Sequence, residues 1–236
     1  MIIRLLKQKI KNHFLENQSI PNINVSLRRL KELGFYPKNI FDVGAFQGEF
    51  AKLCFTIWPE TKIVCFEPLY DKYVLLDSWS KKDNRLKAIY GLVGEQDRDT
   101  VKFNESETAS SVLDEHLSID FKCSFKNMRT IDTCINEFQL TPPNLLKIDT
   151  QGYEYQVLQG FDSNLSHVDV ILAELNHIDI HKDVKLAEEV IALLYSKGFI
   201  IYDITEIHRR PSDHAIWQTD FIFVKKDSFL RQSKKW

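Results

Sequence analysis

Short runs of consecutive apolar residues alternate along this chain with segments in which apolar residues recur every three or four positions. The runs predict buried strands at 39–44, 62–66, 86–93, 145–148, 168–173, 199–204 and 220–224. The spaced segments predict helices between them, such as the helix that begins after Gly48 and stops at Pro59. Residues 97–126 lack clear periodicity, and we predict only a short extra strand there, at 100–103. This alternation favours an α/β fold with a mostly parallel sheet covered by helices on both faces.

The two ends of the chain depart from the alternating pattern. We predict an N-terminal helical appendage at 1–36, a single α/β domain at 37–226 and a C-terminal tail at 227–236. The first residues favour a basic amphipathic helix, with an apolar side formed by Ile2, Leu6, Ile10 and Phe14. We expect this helix to pack on its own domain. Contact with a membrane surface or with a second copy of the chain is the alternative.

Composition and charge narrow the class of protein. The 31 Lys and Arg residues nearly balance the 33 Asp and Glu residues, which leaves a net charge of -2. Such a chain has no overall field to attract nucleic acid, so a small-molecule or glycan substrate is favoured. The four cysteines form no C-x-x-C pair and predict buried thiols. No apolar run reaches the ~18 residues of a transmembrane helix, and early charges argue against a secretory signal, so we expect a cytoplasmic protein.

Four acidic residues stand at or near the carboxyl ends of predicted strands: Asp42, Glu67, Asp149 and Glu174. Ligands of open α/β sheets bind outside this edge, close to the point where the strand order reverses. The clustering of the four acids therefore predicts a binding site at this edge.

A glycine-containing turn follows the first of these strands. Gly44 allows a sharp turn, and Gly48 lets the next helix begin close to a ligand. Phe46 occupies the place where dinucleotide-binding proteins carry the glycine that admits a pyrophosphate, which favours an adenosine ligand without phosphates. Asp42 suits a cofactor with an ammonium and a sulfonium group, and Glu67 is placed to accept the ribose hydroxyls. The alternative is that Gly44 and Gly48 mark only a tight turn and that Glu67 is a solvated residue at the end of its strand.

Four motifs resemble those of the FkbM-type methyltransferases: DVGAFQG at 42–48, FEP at 66–68, TID at 130–132 and, most specifically, LKIDTQGYEYQVLQG at 146–160. The resemblance covers about residues 39–225. It implies a seven-stranded Rossmann-like sheet with the last strand antiparallel, S-adenosylmethionine as methyl donor, and O-methylation of a sugar or polyketide hydroxyl. Two positions depart from the family pattern, because Phe46 stands where the family often has Asn and Gln151 where it often has Glu.

The candidate site combines three groups of residues. We assign cofactor binding to Asp42, Gly44, Ala45, Phe46, Gln47, Gly48, Glu67, Pro68, Leu92, Asp149 and Gly152. We assign substrate binding to Ser110, Ser111, Gln151, Glu154 and Glu174. The catalytic candidates are Asp149 and His177, since an alcohol acceptor must lose its proton during methyl transfer. Asp149 could instead order the Gly152 turn or contact the cofactor, and Glu154 could instead stabilise the start of its helix.

A metal site is not predicted. His177 and His181 have the i, i+4 spacing of two metal ligands on one helix, and Asp179 and Glu174 lie close to them in sequence. We favour a surface loop for this segment instead.

Our leading hypothesis is an S-adenosylmethionine-dependent O-methyltransferase acting on a sugar, a glycan or a related natural product. The alternative is a non-catalytic cofactor-binding module that scaffolds a biosynthetic complex. A nicotinamide-dependent oxidoreductase is disfavoured because the middle glycine is missing.

Overall fold

The computed structural model describes residues 22–106, 110–114 and 122–233, so the predicted amphipathic helix at the start of the chain lies outside the described residues. The described helices are α1 (Ile23–Glu32), α2 (Glu49–Ile57), α3 (Tyr70–Ser80), α4 (Ile131–Glu137), α5 (Glu154–Gln159) and α6 (Ala187–Ser196). The described strands are β1 (Asn39–Val43), β2 (Lys62–Glu67), β3 (Leu86–Tyr90), β4 (Leu92–Val93), β5 (Arg98–Glu105), β6 (Lys122–Arg129), β7 (Leu145–Ile148), β8 (Val170–Asn176), β9 (Phe199–Arg209) and β10 (Ile216–Lys225).

Seven of these strands form one sheet in the order β3-β2-β1-β7-β8-β10-β9. All neighbours pair in parallel except β10, which runs antiparallel to both β8 and β9. The predicted α/β class, the seven-stranded sheet and its antiparallel last strand are therefore confirmed. The strand order reverses between β1 and β7, so a crevice is expected at the carboxyl ends of these two strands.

The region without clear periodicity contains a second, three-stranded sheet in the order β4-β6-β5. We predicted a single strand at 86–93, and this prediction is wrong. The chain turns at Gly91, whose φ is 139°, so the segment forms two strands, β3 and β4. Strand β6 was not predicted at all. It lies largely at the surface, with Phe125 71% exposed, so its sequence carries no continuous apolar run.

Two hydrophobic cores lie on opposite faces of the large sheet. Phe41 and Phe223 belong to the core that α4, α5 and α6 cover. Ile40 and Ile222, which point to the other face, belong to the core that α1 and α2 cover. Neighbouring residues of one strand alternate between the two faces, which is why the central strands are apolar at most positions.

Helix α1, which the sequence places in the N-terminal appendage, packs into the second of these cores. Leu27 is fully buried, and Ser26 Oγ donates a hydrogen bond to Asp203 Oδ2 at 2.8 Å. The helix therefore covers one face of the sheet. No helix in the described ranges combines the length and the apolar character required to cross a membrane.

This packing predicts a difference between two leucines of the same region. Leu27→Ala should lower the free energy of unfolding by about 2–5 kcal/mol, because it leaves a cavity in the core. Leu33→Ala should change it by less than about 0.5 kcal/mol, since Leu33 is 55% exposed. Urea denaturation of both variants measures the difference. Equal effects would contradict the placement of α1 in the core.

Candidate active site

A cavity of about 420 Å³ opens at the carboxyl edge of the large sheet, where β1 lies between β2 and β7. The volume is within the ~300–1,000 Å³ that is usual for small-molecule sites. The cavity lies where the reversal of strand order predicts a ligand.

The predicted site residues divide into two groups. Those that line the cavity are Gly44, Ala45, Phe46, Glu67, Pro68, Leu92, Ser110, Asp149 and Gln151. Those outside its lining are Asp42, Gln47, Gly48, Gly152, Ser111, Glu154, Glu174 and His177. Lining residues that sequence reasoning missed include Glu49, Lys147 and Tyr153.

The turn after β1 brings two strands into very close contact. Gly44 has a φ of 80°, and a Cβ atom added there would lie 1.8 Å from the carbonyl oxygen of Asp149. Gly48 has a φ of 81°, and a Cβ atom there would lie 2.9 Å from Cδ2 of Leu76. Close packing, in addition to the turn itself, therefore requires both glycines. Phe46 also has a positive φ of 47°, a conformation that Asn adopts more easily than Phe.

Glu67 joins the two loops that frame the cavity. Its Oε2 accepts a hydrogen bond from the backbone N–H of Phe46, and its Oε1 accepts one from the backbone N–H of Leu69, both at 2.7 Å. Burial, opposed by these two hydrogen bonds, raises the pKa of Glu67 to about 7. Each carboxylate oxygen keeps a lone pair for a further donor, such as a ribose hydroxyl.

Asp42 lies beneath the cavity and does not line it. Its side chain is fully buried on the face of the sheet that α1 and α2 cover, and Lys147 Nζ lies 3.5 Å from its Oδ1. Burial raises the pKa of Asp42, although the Lys147 ammonium opposes this effect. The cation beside Asp42 is thus a lysine of the neighbouring strand. Contact between Asp42 and the cofactor stays a prediction.

Lys147 connects Asp42 to the cavity. Its Nζ lies 3.2 Å from Asp149 Oδ2, and the side chain lines the cavity floor. Burial would lower the pKa of Lys147, but Asp149 and then Asp42 outweigh this effect and hold the pKa above its ordinary value. The site therefore contains a buried cation between two carboxylates. The sequence could have indicated this cation, because Lys147 is a charged residue within the otherwise apolar run 145–148.

Gln151 links Asp149 to Glu174. Its Nε2 donates to Asp149 Oδ1 at 2.9 Å and to Glu174 Oε2 at 3.0 Å. Burial, with a further contribution from the Asp149 carboxylate, raises the pKa of Glu174. The structure therefore brings together three of the predicted site residues through one amide. Gln151 adopts this position with a φ of 53°.

Glu154 contacts the turn that precedes its own helix. Its carboxylate accepts hydrogen bonds from the backbone N–H groups of Thr150 and Gly152 and from the Thr150 hydroxyl, at 2.8–3.3 Å. Burial raises the pKa of Glu154 to about 7. The turn therefore uses both carboxylate oxygens, and contact of Glu154 with the substrate stays a prediction.

The two predicted serines have different surroundings. Ser110 lines the cavity, whereas the Ser111 hydroxyl donates to the carbonyl oxygen of Gln151 at 2.8 Å. Ser111 therefore holds the loop after β7 in place. Substrate contact through Ser110 stays a prediction.

His177 directly follows the end of β8 and does not line the cavity. Its Nε2 is 2.9 Å from Thr219 Oγ1, and burial lowers the pKa of the imidazole. The segment 177–181 is not helical, so the i, i+4 spacing of His177 and His181 does not place their rings side by side. A role of His177 as general base stays a prediction.

The residues around the cavity fit S-adenosylmethionine. Glu67 offers buried carboxylate oxygens for a ribose, and Leu69 and Leu92 offer apolar surface for an adenine ring. Glu49 and Asp149 supply carboxylates that suit the positively charged methionine end of the cofactor.

Comparison with known proteins identifies the family. Residues 42–201 match the model of the methyltransferase FkbM domain. A hexuronic acid methyltransferase, AglP of Haloferax volcanii, is 25% identical over 171 residues, which are 69% of this chain and 69% of that protein. The crystal structure of the methyltransferase FkbM from Methylobacillus flagellatus KT is similar in fold, with 17% identity and a TM-score of 0.51 over 79% of this chain. The similar part is 43% of that longer chain, so this chain spans less than half of its length.

The match to the family model extends over more than half of the chain and includes the end of β1, its glycine turn, Glu67 and the motif around Asp149. The chain therefore belongs to the FkbM methyltransferase family, and S-adenosylmethionine is its cofactor.

Proposed function

We propose that this methyltransferase transfers a methyl group to a hydroxyl of a sugar, either free or within a glycan. The observation that carries the proposal is the position of Asp149, whose carboxylate lines the cofactor cavity at the end of a central strand. The similarity to a hexuronic acid methyltransferase supports a sugar as the acceptor.

The proposed mechanism uses Asp149 as the general base. S-adenosylmethionine supplies the activated methyl group, so the protein contributes mainly alignment and exclusion of water. Asp149 accepts the proton of the acceptor hydroxyl, a contribution of roughly 10²–10⁴-fold in rate. Lys147 and Gln151, which contact its two oxygens, hold the carboxylate in position and leave lone pairs for the acceptor. Glu67 binds the cofactor ribose.

Two measurements test this function. Calorimetry should detect binding of S-adenosylmethionine or its demethylated product to the folded protein. Transfer of a radiolabelled methyl group to a panel of hexuronic acid and neutral sugar glycosides should then identify the acceptor. Cofactor binding without transfer to any acceptor would favour the alternative of a non-catalytic module. Absence of cofactor binding would remove both hypotheses.

The raised pKa of Glu67 predicts a pH dependence of cofactor affinity. Ribose hydroxyls donate to the ionised carboxylate, whereas the free protein holds a proton on Glu67 below about pH 7. The affinity for the demethylated cofactor should therefore be constant above pH 8 and should fall by nearly tenfold per pH unit below pH 7. Calorimetry between pH 5.5 and 8.5 measures it. The Glu67→Gln variant should bind more weakly but without this slope, and an unchanged slope would assign it to another group.

A further inference from the structure

Three potential metal ligands from three neighbouring strands meet on one face of the large sheet. Glu174 of β8 pairs directly with Asp220 of β10, and His208 of β9 lies diagonally across from Asp220. One ligand atom of each residue lies within 4.8 Å of the other two. Ligands at ~2.0–2.2 Å from a single ion are separated by about 3–4.4 Å, so small side-chain adjustments suffice for a shared cation.

Asp220 provides an independent indication of a bound ligand. Its Oδ1 is buried and has no hydrogen-bond partner among the described residues. A buried carboxylate oxygen without a partner is strongly disfavoured, and a cation is the partner that would relieve this cost.

The charges around the three residues also favour a cation. A third carboxylate, Glu206, lies 3.5 Å from Nε2 of His208. The nearest buried cation on this face, Lys147, already contacts Asp42 and Asp149. Negative charge therefore exceeds positive charge in this part of the site.

We propose that Glu174, His208 and Asp220 bind a divalent metal ion such as Mn²⁺ or Zn²⁺. One imidazole and two carboxylates form a ligand set that suits these ions. Sequence reasoning predicted no metal site, and the histidines that it considered, His177 and His181, do not belong to this one. Three ligands leave coordination positions open for water or for an oxygen of a substrate.

The site adjoins the cofactor cavity through a single side chain. Gln151 Nε2, which contacts Asp149 in the cavity, also contacts Glu174 Oε2. An ion bound by Glu174 would lie next to Gln151 at the wall of the cavity, where its positive charge would favour a sugar acceptor that carries a carboxylate. This second role rests on the proposed function, whereas metal binding itself does not.

Metal binding can be measured without turnover. The protein is treated with EDTA, desalted and titrated with Mn²⁺, and the free ion is followed by electron paramagnetic resonance. We expect one Mn²⁺ per chain, with an affinity that falls at least tenfold in Asp220→Asn and in His208→Gln. His208 is 39% exposed at its side chain, so its variant should fold even if Asp220→Asn does not. His214→Gln, an exposed histidine in the β9–β10 turn, is the matched control and should bind Mn²⁺ as the wild type does.

The proposal is overturned if the wild-type protein binds neither Mn²⁺ nor Zn²⁺, or if both variants bind with unchanged affinity. Calorimetry with the demethylated cofactor on the same variants separates the two claims. Retained cofactor binding together with lost metal binding would locate the defect at the metal site. Metal binding without cofactor binding in the wild type would contradict the proposed function and leave the metal site in place.

Discussion

Gly44→Ala is expected to destabilise the folded protein by about 2–5 kcal/mol and to abolish cofactor binding. The left-handed conformation, with φ at 80°, costs a residue with a Cβ atom about 1–2 kcal/mol. The added Cβ atom would also lie 1.8 Å from the carbonyl oxygen of Asp149, so β1 and β7 must move apart, at a further cost of about 1–3 kcal/mol. Because both strands frame the cavity, this displacement should disturb Asp149 and the turn to which we assign cofactor binding.

Gly198→Ala is the matched control for this experiment. Gly198 has a similar φ of 89°, but no atom lies within 4 Å of the position that its Cβ would take. The free energy of unfolding of this variant should therefore fall only by the cost of the left-handed conformation, about 1–2 kcal/mol. The variant should bind the cofactor as the wild type does. Urea denaturation and calorimetry measure both effects. Similar losses of stability in the two variants would show that the contact between β1 and β7 is looser than the structure indicates.

Asp149→Asn should lower kcat by about 10²–10⁴-fold while the affinity for the cofactor changes only a few-fold. The substitution keeps the size of the side chain and its ability to accept a hydrogen bond from Lys147, but it removes the base that accepts the acceptor's proton. A loss of kcat with retained cofactor affinity is expected for a group that acts on the acceptor in the transition state.

The control for this prediction is Asp169→Asn. Asp169 precedes β8 at the opposite edge of the sheet and pairs at the surface with Lys225. Its variant should retain the activity of the wild type. If Asp149→Asn instead loses cofactor binding and keeps its turnover at saturating cofactor, Asp149 binds the cofactor and another group is the base. Isothermal titration followed by steady-state kinetics distinguishes the two roles.

The sequence was sufficient to predict the class of fold and the edge of the sheet at which the cavity lies. Runs such as 170–173 are apolar along their whole length because both faces of the strand are covered, which is a local property that a sequence displays. The glycine turn at Gly44, the acid at Glu67 and the motif around Asp149 could be recognised for the same reason, since each lies within a short segment.

Contacts between distant segments could not be predicted in this way. Ser111 was assigned to substrate binding, and the structure shows its hydroxyl donating a hydrogen bond to the carbonyl oxygen of Gln151, which lies far from it in sequence. Strand β6 has little apolar character of its own and is a strand because β4 and β5 pair with it.

The sequence by itself thus determined the alternation of strands and helices that builds the large sheet and the acids at the strand ends. Only the tertiary structure decided that Lys147 lies between Asp42 and Asp149, and that Glu174, His208 and Asp220 meet on one face. The physical reason is that periodicity depends on neighbours along the chain, whereas these contacts depend on the register between strands whose residues are far apart in sequence.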